Sequence, residues 1–179
     1  MALLKLDAWQ VFLLLLAPAI LAALVMFVSG NATDPRPTLI ISQLLAFVFI
    51  GLFVYWIYSI GYHLARREPK DAREWARFAI ALTLALIYRV GIDGYMFWLG
   101  LTSQTSIDLE GELWIVPLHL LATLAVLYCF YLNAKWLDAA EQKHPRAFKD
   151  FWRTFVLMAL FPIGVWYIQP RLQRILGRR

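Results

Sequence analysis

Residues 39–62, LIISQLLAFVFIGLFVYWIYSIGY, contain no Asp, Glu, Lys or Arg. At about 1.5 Å of rise per residue, a helix of this stretch exceeds the roughly 30 Å hydrocarbon core of a bilayer. Three further stretches read the same way: Ala8–Val28, Ala76–Leu101 and Leu113–Leu132. The composition agrees, with 61% hydrophobic and only 16% charged residues. A soluble domain carries roughly 45–50% apolar residues and about 25% charged ones. A water-soluble globule, a disordered chain and a collagen-like chain are therefore excluded. The expectation is an all-α polytopic membrane helical bundle, with residues 1–179 forming one membrane domain.

Ala8–Val28 is longer than the roughly 7–15-residue apolar core of a secretory signal, so it reads as a retained helix. The loop after it holds Gly30, Asn31, Asp34, Pro35 and Pro37. Asn31-Ala32-Thr33 matches a glycosylation acceptor there, and chance explains it in so tight a loop. The next loop, His63–Trp75, holds Arg66, Arg67, Lys70 and Arg73, and the one after it holds Asp108, Glu110 and Glu112. The fourth run leads into Lys135–Asp150, with Lys135, Lys143, Arg146 and Lys149, which reads as a solvated helix end. Lys5 and these two basic loops share one side of the membrane, against Arg36 on the other. Basic residues accumulate in cytoplasmic loops, so the N-terminus is expected in the cytoplasm. Trp9, Trp75, Trp136 and Trp152 fall at the inner boundary and Trp98 and Trp114 at the outer, the interfacial belt of real spans.

The net charge of +5 then has a bland explanation in topology and anionic lipid headgroups, and no nucleic-acid partner is expected. The single cysteine, Cys129, lies inside an apolar run and reads as a packing residue. No cofactor or metal is expected, because no Cys/His set has ligand spacing and no catalytic signature occurs.

The last apolar stretch, Thr154–Ile168, is too short to cross and is interrupted by Phe161-Pro162-Ile163-Gly164. Two arrangements remain open: a broken re-entrant or interfacial segment, favoured, and a fifth transmembrane helix. Pro162, Gly164 and Pro170 are the expected helix breaks, with Pro170 starting a short basic helix. In that helix Arg171, Arg174 and Arg178, with Arg179, would contact lipid headgroups.

Ionisable groups within the bilayer cost roughly 2.5–3.5 kcal/mol each on insertion scales. The third run nevertheless holds Arg89 and Asp93, whose four-residue offset puts both on one helix face. The fourth adds His119 at similar depth and the second adds Gln43, with Tyr88 and Tyr95 as candidate hydroxyl partners. Gly91 and Gly94 would allow close helix approach, as would Gly51, Gly61, Ala22 and Ala23. Arg89, Asp93, His119, Gln43, Tyr88 and Tyr95 thus form the candidate intramembrane site.

The simplest function is that of a non-catalytic accessory or assembly subunit of a membrane complex, the polar cluster fixing its helices. Partner membrane subunits or a homo-oligomer would be its protein contacts. A small proton-linked transporter or channel is the alternative, with Asp93 and His119 changing protonation. The second alternative is a lipid-acting enzyme or ligand-binding protein, with Arg89 holding an anionic group.

The stretch FPIGVWYIQPRLQ, Phe161–Gln173, resembles the ending of a group of small bacterial inner-membrane proteins. In these an FPIG-aromatic-QPR segment follows four hydrophobic runs. The resemblance covers mainly these residues. It implies a bacterial inner-membrane location and a role for Pro162, Gly164, Gln169, Pro170 and Arg171, but carries no function with it.

Overall fold

A computed structural model of the chain describes residues 3–29, 36–67, 72–102, 113, 115–142 and 148–177. Among these there is helix and turn but no strand. Arg178, Arg179, Trp114, the Asn31 acceptor and the acidic residues Asp108, Glu110 and Glu112 lie outside the described residues.

Four helices are long and apolar enough to cross a membrane: α1 (Ala8–Val28), α2 (Arg36–Arg67), α3 (Ala72–Leu101) and α4 (Ile115–Gln142). The chain is an integral membrane protein built as an all-α helical bundle. Most of the large apolar side chains on α1, such as Leu13, Leu21, Leu24 and Phe27, are exposed. That is how a helix looks when lipid is its solvent, because acyl chains offer Leu and Phe no penalty. Pro117 falls in the first turn of α4, where its missing N–H is one the helix leaves unbonded anyway.

The helices outrun their apolar cores, mostly at one end of the bundle. α2 continues past Tyr62 to Arg67, α3 begins at Ala72, and α4 runs past Leu132 to Gln142. This end carries Lys5, Arg66, Arg73 and Lys135, and is called the basic end below. The end of α4 is not solvated as expected: Asn133, Ala134, Trp136, Leu137 and Asp138 are buried. Glu74, in the first turn of α3, ties it down, accepting from Lys135 Nζ at 2.5 Å and from Trp136 Nε1 at 3.2 Å. Trp136 is accordingly a core residue and not a member of the boundary belt, packed with its ring tilted against those of Trp75 and Phe78. Trp9, Trp98 and Trp152 are exposed.

Close approach of helices is required at Gly61, where a Cβ would stand 2.7 Å from the Phe78 ring and 2.9 Å from Asn133 Oδ1. Asn133 Nδ2 meanwhile donates to the Ile57 carbonyl at 3.1 Å, so α2, α3 and α4 meet around one small residue. Gly51, Gly91 and Gly94 do not serve this way, since among the described residues nothing lies within 4 Å of a Cβ built on any of them. Ala23 is exposed and Ala22 only half-buried. Cys129 is buried in the same core, its thiol directed at the Phe78 carbonyl at 3.8 Å.

The final segment is not a fifth span. It is a helical hairpin, α5 (Phe148–Ala159) and α6 (Val165–Ile175), joined by a tight turn through Phe161–Pro162. Each arm rises only about 16–18 Å, too little to cross. Phe151, Thr154 and Met158 bury one face of α5, and Val165, Ile168, Gln169 and Leu172 bury one face of α6. Both sets follow the three-to-four-residue period of an amphipathic helix. At the tip, Phe161 sits 5.0 Å from the Phe53 ring and 5.9 Å from that of Trp56. Phe53 lies roughly 20 Å along α2 from its Arg67 end, so the hairpin enters deeply and returns to the end it came from. Pro162 and Gly164 fall in the turn, as expected. Pro170 does not start the last helix but lies inside it.

Candidate functional site

On α3 the four-residue offset of Arg89 and Asp93 does what helical geometry predicts. Arg89 Nε donates to Asp93 Oδ2 at 3.0 Å and its Nη2 meets Oδ1 at 2.9 Å. This two-pronged geometry is the strong form of a carboxylate–guanidinium contact. The partners differ in exposure: the Asp93 side chain is 9% exposed and that of Arg89 46%.

The residue before Arg89 makes the connection to α4. The Tyr88 hydroxyl lies 3.2 Å from His119 Nδ1, with the two rings edge to face at 5.8 Å. One turn further on, the Thr123 hydroxyl donates to the His119 carbonyl at 2.8 Å. His119 thus meets Tyr88 rather than Asp93. Of the six expected site residues, the structure brings four together as two adjacent pairs, Arg89–Asp93 and Tyr88–His119.

Gln43 and Tyr95 belong to neither pair. Among the described residues the Gln43 amide nitrogen is buried without a hydrogen-bond partner, and Tyr95 stacks on Trp98 at 6.4 Å.

Beside the two pairs is a cavity of about 400 Å³ between α2, α3 and α4. Tyr88, Arg89, His119 and Thr123 give it a polar end, while Phe53 and Phe130 belong to its apolar wall. That wall meets the hairpin, for Phe53 packs edge-on against both Phe130, at 6.1 Å, and Phe161. No spacing along one helix signals this space, because its lining comes from three separate spans. The aromatic run of the second span is the only hint, and aromatics there read equally well as lipid-facing.

The second polar cluster lies at the basic end. Arg171 turns inward from α6 and does not serve as the headgroup contact expected of it. Its Nε and Nη2 meet the Glu141 carboxylate at 2.8 and 2.6 Å, its Nη1 reaches Thr154 Oγ1 at 2.8 Å, and Nη2 also contacts Asp138. Hydrogen bonding to Glu141, the largest cause, holds the guanidinium pKa above its ordinary value. Asp138 also accepts from Thr154 at 3.1 Å, so one arginine joins α4, α5 and α6. Arg174 is exposed. Among the described residues, no three His, Cys, Asp or Glu side chains converge as a metal ion requires.

No family model matches this chain, and no curated protein or solved structure is similar to it.

Proposed function

We propose that this chain is a non-catalytic protein of the bacterial inner membrane, with a cytoplasmic N-terminus, that holds a lipid-soluble molecule between α2, α3 and α4. The observation that carries the reading is the cavity of about 400 Å³ with Tyr88, Arg89 and His119 at one end. A mostly apolar cleft of roughly 300–1,000 Å³ with a few convergent polar groups is the usual form of a small-molecule site. An accessory subunit whose polar cluster only fixed its helices would need no space beside Arg89 and His119. Holding a ligand is compatible with membership of a larger membrane complex, and it adds what the subunit would contribute.

Conduction has less support. A transport path needs access from both sides of the membrane. The tip of the hairpin is packed against Phe53 and Trp56 at the basic-end side of the cavity.

The test is to purify the full chain in mild detergent and measure retained small molecules by native mass spectrometry. Ala122, which lines the cavity, is replaced by Phe to fill it. The wild type should retain about one lipid-soluble molecule per chain, while Ala122→Phe, folded to the same melting temperature, should retain none. Equal retention by both proteins would remove the cavity from consideration.

A further inference from the structure

The charge balance at the polar end of the cavity defines the headgroup it accepts. A guanidinium has five N–H donors and no acceptor. Arg89 commits two of them to the Asp93 carboxylate, which leaves three donors but cancels the charge. Tyr88 and His119 behave alike. With a neutral imidazole, their hydrogen bond uses one of the two protons they carry between them. If the phenol donates, Nε2–H is left over; if Nδ1 donates, the phenol O–H is left over. Either tautomer leaves one donor. The end of the cavity is therefore rich in donors and close to neutral.

We propose that the cavity takes a lipid whose uncharged headgroup presents carbonyl oxygens, as in an isoprenoid quinone. This rests on the ligand-binding reading above and names the class of ligand. An anionic phosphate or carboxylate would have to leave water for a site where Asp93 already neutralises Arg89, with no net charge to compensate its desolvation. A plain hydrocarbon would leave the remaining donors without acceptors. A carbonyl oxygen accepts from both pairs and brings no charge. Phe53 and Phe130, edge to face at 6.1 Å, offer the apolar wall a planar ring can pack on.

The experiment uses the full chain in detergent with three probes sharing one tail: decylbenzoquinone, decyl phosphate and decylbenzene. Retention of each is measured by native mass spectrometry at equal concentration. The quinone should be retained at least about tenfold better than either of the others. The double variant Tyr88→Phe/His119→Leu, which removes the one donor that this pair spares, should lower quinone retention roughly fivefold, the loss of one hydrogen bond, while decylbenzene retention stays the same. Tyr88→Phe alone, which leaves the imidazole N–H to donate, should lower it less than the double variant. Asp93→Asn, which uncovers the Arg89 charge, should shift the preference toward decyl phosphate. Wild-type retention of decyl phosphate equal to or above the quinone overturns the proposal, as does quinone retention indifferent to the double variant Tyr88→Phe/His119→Leu. If the wild type and Ala122→Phe retain all three probes alike, the ligand-binding reading falls as well.

Discussion

A Cβ placed on Gly164 would stand 1.6 Å from the carbonyl oxygen of Leu157. The φ of Gly164 is −59°, open to any residue, so the requirement for glycine is one of space. Here the backbone of the turn between α5 and α6 presses on the last turn of α5. The conflict is with backbone, which cannot step aside as a flexible side chain can. Gly164→Ala should therefore cost about 3 kcal/mol, the upper part of the overpacking range. Gly51→Ala is the companion measurement, because nothing lies within 4 Å of its Cβ in mid-α2. It should be neutral or stabilise by up to about 1 kcal/mol through helix propensity. Thermal unfolding of both variants in one detergent checks the pair. A Gly164→Ala protein as stable as Gly51→Ala would mean that the hairpin turn is loose.

Arg171 holds the hairpin's other end. Removing it leaves Asp138, whose side chain is 6% exposed, with the Thr154 hydroxyl as its one remaining hydrogen-bond donor among the described residues. Breaking a buried pair from one side costs roughly 3–5 kcal/mol. Arg171 and Glu141 are about a quarter exposed, so Arg171→Met should fall below that, at about 2–3 kcal/mol. Adding Asp138→Leu should recover part of the loss, because an apolar pair has no charge to strand. A double-mutant cycle read by thermal melting checks the coupling. Strictly additive losses would show that Arg171 and Asp138 act separately.

The four spans are legible in the sequence because apolar length alone determines them. The ends are not, since the helical state of Asn133–Gln142 depends on burial against Phe78 and on Glu74, more than fifty residues away. The interior pair Arg89–Asp93 is legible because it lies within one helix. The Tyr88–His119 contact is only half legible: equal depth brings His119 near the third span, but the rotation of two helices decides that it meets Tyr88. The cavity is not legible at all, being a gap left by side chains of three spans. Arg171 carries the same lesson. Its face on the last helix follows from spacing, whereas its Asp138 and Glu141 partners follow from how the hairpin docks.

The unequal exposure of Arg89 and Asp93 makes their single variants unequal. Without Asp93, the Arg89 guanidinium is 46% exposed and can extend its stem toward the nearer membrane boundary. Without Arg89, the carboxylate is short, buried and left without its counter-ion. Arg89→Leu should therefore destabilise by about 3 kcal/mol or more, and Asp93→Leu by roughly half as much. The double variant should be closer to wild type than Arg89→Leu. Unfolding in a single detergent, with yield from membranes as a second readout, would establish the order. The reverse order would place the exposed side of the pair at Asp93.

The chain's two ends are tied together across the membrane fold. Gln169 Nε2 donates to the carbonyls of both Leu3 and Leu6, at 3.0 and 2.9 Å, and Gln173 donates to Leu6 at 2.8 Å. The segment leading into α1 therefore lies on α6, and four crossings plus a hairpin that returns must leave both termini on one side. Reporter fusions at Met1 and at Arg179 should give the same compartment, and the basic residues of that end predict the cytoplasm. A reporter inserted after Thr102 should give the opposite one. A C-terminal fusion that reports outside while the N-terminal one reports inside would turn the hairpin into a span. In that case the Gln169 contacts could not exist, so Gln169→Leu would leave stability unchanged. With the hairpin in place, the same substitution takes one donor from each of the Leu3 and Leu6 carbonyls, which keep the Leu6 N–H and the Gln173 amide respectively. It should then cost about 1–3 kcal/mol, which makes stability and topology independent measurements of one arrangement.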